Sequence, residues 1–139
     1  MRRVLVLLLS LLAFDALAGS ALPTNWLQLV IVKPSSGSLN AGEVYRSMVT
    51  NTGAGAGIEL ELPAASVGMN FEVCTNAPFA ISLDPAGAEV ITAQAPATLA
   101  SGDKITSPGS LGACVRLVGV GAGTWAMVSV TGTWTDGGP

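Results

Sequence analysis

Clusters of Gly, Pro, Asn, Asp and Ser punctuate this chain roughly every 8–12 residues, the spacing expected of an all-β sandwich or barrel. Between the clusters lie short runs that are apolar, β-branched or strictly alternating. They are EVYRSMVT (43–50), IELEL (58–62), MNFEVCT (69–75), FAISLD (79–84), AEVITA (88–93), DKITS (103–107), ACVRLVGV (113–120) and TWAMVSVTGTW (124–134). In IELEL the apolar residues Ile58, Leu60 and Leu62 share one face and Glu59 and Glu61 the other. Beyond the N-terminal leader, no stretch sustains a helical period over three turns. These signals predict an all-β chain: a single β-sandwich or jelly-roll-like domain of about eight short strands over residues 43–135. Residues 19–42 read as one strand, WLQLVIV, stopped by Pro34, followed by a linker. Residues 136–139 read as a frayed tail.

The first 18 residues need separate treatment. Arg2 and Arg3 precede an apolar run from Val4 to Phe14, and Ala16-Leu17-Ala18 gives a small-x-small pattern ahead of Gly19. This is the layout of a signal peptide, or else of an N-terminal anchor, and the apolar run is short for a membrane span. Setting it aside removes Arg2, Arg3 and Asp15 from six basic and nine acidic residues, leaving four and eight. A net charge of −4 with no basic stripe excludes a nucleic-acid partner. What remains is rich in Gly, Ala, Ser, Thr and Val, a surface suited to packing against copies of itself or other proteins.

The two cysteines fix a register. Opposing Cys74 to Cys114 in an antiparallel pair makes the index sum 188 and sets Glu72 opposite Arg116 on the same face. Phe71, Val73, Val115 and Leu117 then share the other, apolar face and are core candidates. Two readings of the sulfurs remain, a disulfide formed in an oxidising compartment and a pair of buried thiols.

No catalytic set is present. The chain has no histidine, which removes Ser-His-Asp and Cys-His arrangements, and two cysteines alone do not make a zinc site. Glu59 and Glu61 point the same way, as a solvated face does, rather than facing each other across a cleft. NTGAGAG (51–57) lacks the spacing of a phosphate loop and reads as a turn between strands. The expectation is therefore no enzyme, no cofactor, no metal and no small-molecule substrate.

Two of the three tryptophans fall in GTWAMVSVTGTW (123–134). Strict alternation puts Trp134 with Val128 and Val130 on the more apolar face, the core, and Trp125 with Met127 on a mixed face. For Trp125 the readings are core, subunit seam and ligand platform, in that order. Its mixed face makes Trp125 and Met127 the candidates for a subunit interface. A ligand platform would need further aromatics, and Tyr45 and Trp26 are the distant ones.

Three stretches in order, NTGAGAGIELELPAASVGMNFEV, ISLDPAGAEVI and CVRLVGVGAGTWAMVSVTGTW, give residues 45–134 a recognisable pattern. It resembles the β-rich structural domain of tailed-bacteriophage virion proteins, of the tail-fibre and head decoration or spike type. The resemblance covers about two thirds of the chain and rests on turn and core signatures. It implies a non-catalytic module of a virion, often a homotrimer, whose partners are itself and other virion proteins or a cell-surface receptor. The leader and the cysteine pair support the alternative, a secreted bacterial β-sandwich binding module, with carbohydrate as one ligand class.

Overall fold

The register set by the cysteines is the one adopted. In the computed structural model, which describes residues 29–93 and 99–139, the strand Asn70–Cys74 pairs antiparallel with Cys114–Gly121. Cys74 faces Cys114, Glu72 faces Arg116, and Phe71 faces Leu117. The leader 1–18, Trp26 and the start of the strand read from it lie outside the described residues.

Eleven short strands are described: β1 Leu29–Val32, β2 Gly37–Ser38, β3 Tyr45–Thr50, β4 Ile58–Glu61, β5 Asn70–Cys74, β6 Ile81–Asp84, β7 Val90–Thr92, β8 Ile105–Thr106, β9 Cys114–Gly121, β10 Thr124–Thr131 and β11 Thr135–Asp136. They form two sheets. The larger has the order β1-β3-β5-β9-β10-β7 and the smaller β11-β8-β6-β4-β2. From β1 to β8 successive strands fall alternately in the two sheets. Each return to a sheet is by way of the other, so β1, β3 and β5 run parallel, as do β2, β4 and β6. Parallel neighbours need a crossover connection. Here the crossover is a strand of the opposite sheet rather than a helix. The β9–β10 hairpin then adds antiparallel strands to the larger sheet.

The alternating patterns explain which face is inside. Ile58 and Leu60 of β4, Phe71 and Val73 of β5, and Ile81 and Leu83 of β6 are all buried between the sheets. Their outward neighbours Glu59, Glu72 and Ser82 are only partly covered. Trp125 stacks edge-on against Phe71 at 5.5 Å and 82° at the centre of this core.

Four boundaries differ from the sequence reading. The sandwich starts before residue 43: β1 falls within the strand read at WLQLVIV and joins the larger sheet, and β2, in the stretch read as a linker, joins the smaller. Residues Ala41–Val44 form a 3-10 turn instead of the start of a strand. Its capping box explains this: Asn40 Oδ1 accepts from the N–H groups of Gly42 and Glu43, and the Glu43 carboxylate accepts from Asn40 N–H. The tail is paired rather than frayed, with β11 beside β8 and Gly137 N–H donating to the Lys104 carbonyl at 2.9 Å. β2 and β11, of two residues each, have no counterpart among the runs read from the sequence, whereas β8 falls within DKITS.

Candidate functional site: the outer face of the larger sheet

The two outer faces have different chemistry. On the smaller sheet Glu59 is bound by Lys104 at 2.9 Å. Glu61 accepts from the Ser38 hydroxyl at 2.6 Å, and Ser82 and Thr106 share a hydrogen bond of 2.9 Å. The hydrogen bond that the Lys104 ammonium donates to Glu59 raises its pKa above the ordinary range, against burial, and the Glu59 and Asp84 charges act in the same sense. This face is polar and its charges are partnered, as the solvated reading of Glu59 and Glu61 expects.

The larger sheet carries the apolar exposure. Leu29, Val30, Val32, Tyr45, Val120, Val128 and Val130 are large exposed hydrophobic residues on its strands. The other two, Val67 and Leu111, lie on loops, and none belongs to a strand of the smaller sheet. Register places Val30 beside Met48 and Val32 beside Thr50, then Glu72 and Cys74, then Arg116 and Cys114. Rows of outward side chains therefore run from a valine edge to the cysteines.

Cys74 and Cys114 are joined as a disulfide on this face, with Cα atoms 4.2 Å apart. The Glu72 carboxylate lies with the two sulfurs within 4.8 Å of one another. Because the sulfurs are bonded to each other, they offer no thiolate pair to a metal. The predicted charge pair is in register, but Arg116 Nε donates to Asn70 Oδ1 at 2.9 Å.

The tryptophan segment corrects the sequence reading. Trp125 and Met127, the interface candidates, are buried in the core, which agrees with the first of the three readings of Trp125. Val128 and Val130, read as core, are 43% and 37% exposed. For Val128 the cause is a bulge, whereas Val130 opposes the buried Val115 on the core-facing side and is nonetheless exposed. Met127 opposes Leu117 and Ser129 opposes Arg116, so Val128 is an extra residue that resets the alternation. Trp134 lies between β10 and β11 and packs half-buried against the core, as expected of a plug at its end. Phe71, Val73, Val115 and Leu117 are buried as expected.

One organising residue was not singled out from the sequence. Asn51, in the Gly-rich turn, is fully buried. Its side-chain oxygen accepts from Asn76 and Ala77 N–H at 2.7 and 2.8 Å, and its amide donates to the Ala77 and Phe79 carbonyls at 3.3 and 2.9 Å. An asparagine beside glycines has the composition of an ordinary turn, so nothing in the sequence distinguishes a residue that ties two loops together. No protein-family profile matches the chain, and comparison with characterised proteins returns no match.

Proposed function

We propose that this chain is a non-catalytic structural module of a virion, of the decoration or tail-fibre kind, that works by packing its larger sheet against neighbours. The observation that carries the reading is the asymmetry of the two faces. Among the described residues, large exposed hydrophobic side chains on strands are confined to the larger sheet, while the smaller sheet shows partnered polar groups. Large apolar side chains left exposed on one sheet mark it as the candidate interaction side. The resemblance of residues 45–134 to phage virion domains supplies the setting, with three copies as the expected assembly. A disulfide suits a virion surface as it does a secreted protein.

Mass spectrometry of density-purified particles from the producing cells tests this. Peptides of this chain in fixed ratio to the shell protein are expected. The chain appearing only in particle-free medium, and bound to a glycan array, would establish the second reading. That reading, a secreted binding module, is favoured by the disulfide and by the leader-like N-terminus.

A further inference from the structure

A strand at the edge of a sheet exposes backbone groups that can pair with another chain. The described residues contain four such edges, and three are blunted. At β7, Val90 N–H donates to the Gly123 carbonyl, so the groups of Ile91 point outward. There the Ile91 carbonyl accepts from Leu99 N–H at 3.3 Å, and the Glu89 carbonyl from Gly102 N–H at 2.9 Å. At β2 the outward carbonyl of Ser38 accepts from the Lys33 ammonium at 3.3 Å. At β11 the strand is two residues long and ends in Asp136, a charge on the edge.

β1 is different. It is Leu-Val-Ile-Val, without charge, and no described segment lies along it. Lys33 N–H donates to the Thr50 carbonyl at 2.8 Å, so residue 33 faces β3. By alternation the N–H and C=O groups of Val30 and Val32 point away from the sheet. Leu29, Val30 and Val32 are 58%, 58% and 52% exposed. The edge is also self-complementary. In an antiparallel pair with index sum 62, Val30 meets Val32 of a second copy, and each such pair exchanges two hydrogen bonds. Ile31 then meets its own counterpart on the two-fold axis. The four outward valines form one apolar patch, and Pro34, which has no N–H, limits the pairing beyond Lys33.

We infer that β1 pairs antiparallel with β1 of a second copy across a two-fold axis, joining two six-stranded sheets edge to edge. With a single open edge among the described residues, edge pairing closes at two copies and does not propagate as a fibre. It deepens the proposed self-association and is compatible with three-fold packing through the faces. Both together give a closed assembly of six copies, and the edge alone gives two.

Sedimentation velocity of the purified oxidised protein at tens of micromolar tests the inference, together with two variants. Wild type should sediment as two or six copies. Val32→Pro removes only an outward N–H, a change that edge strands tolerate. It should weaken the two-fold contact at least tenfold while far-ultraviolet circular dichroism and the Cys74–Cys114 bond stay as in wild type. Ile31→Cys should give a covalent dimer on mild oxidation, because directly opposed residues of this class lie about 4.5 Å apart. A wild-type trimer or monomer overturns the inference. So does a Val32→Pro protein that is folded and associates unchanged, or an Ile31→Cys protein that does not cross-link. Absence from purified particles would instead count against the virion reading and leave this pairing standing.

Discussion

Trp125 is fully buried, edge-on to Phe71, and its indole N–H has no hydrogen-bond partner among the described residues. Its contribution is therefore packing. Trp125→Ala should cost about 3–5 kcal/mol in a denaturant titration. Trp125→Phe should cost less, since it keeps a ring against Phe71 and removes the unpartnered donor. Val128→Ala, on the bulge, should change stability by less than about 0.5 kcal/mol. Asn51 is the polar counterpart. Asn51→Ala strands the N–H groups of Asn76 and Ala77 and the Phe79 carbonyl, while the Ala77 carbonyl keeps its bond from Phe79 N–H, and each buried orphan costs about 1–3 kcal/mol. A loss of less than about 1 kcal/mol on equilibrium unfolding would refute the part assigned to Asn51. At this scale, legibility followed whether the signal was linear. Cys74, Glu72, Arg116 and Cys114 encode their register through index sums alone. Strict alternation sets Trp125 and Met127 on the face opposite Val130, whereas the inserted residue Val128 reverses the alternation and brings all three to the core-facing side.

Among the elements, β9 is held by contacts on three sides. It pairs with β5 and β10, and Gly119 lies against the backbone carbonyl of Ser66, into which an added Cβ would project. Gly68 N–H also donates to the Gly119 carbonyl, and Gly119 N–H to that of Met69. Gly119→Ala should thus displace the 66–69 turn and lower stability by about 1–3 kcal/mol, checked by thermal melting. Reducing the disulfide, which closes a separation of 40 residues between β5 and β9, should cost about 4 kcal/mol, measured as the difference between oxidised and reduced unfolding curves. The turn before β3 adds a pH dependence. Burial pushes the Glu43 carboxyl up, but Lys33 at 2.9 Å and the Asn40 N–H outweigh it and hold it below its ordinary 4.5. A depressed carboxyl stabilises the fold above 4.5, and that contribution is lost as pH falls through the folded value. Glu43→Gln should flatten this acid limb of the stability profile and leave the neutral range level. The parallel pairings of β1, β3 and β5 left no trace in the sequence. Their partners are set by crossovers through the other sheet, and no cross-strand pair of cysteines or charges marks them. β2 and β11 are too short for any period to register.

For the whole molecule, the open edge among the described residues lies at β1, the first described strand of the larger sheet. The fold class and the central register were legible because turn punctuation and the cysteine pair are properties of the chain read in order. The candidate surface was legible only as a shortage of charge. Which sheet bears the exposed valines depends on the three-dimensional pairing, and composition does not carry it. On the proposed reading the chain is a scaffold that works by association through its larger sheet. Its most direct test is the mass of the purified oxidised protein in solution at tens of micromolar, by native mass spectrometry or sedimentation equilibrium. Association is the result predicted: three copies from face packing alone, and two or six where the β1 edges also pair. A single copy, with the Cys74–Cys114 bond intact, would contradict it.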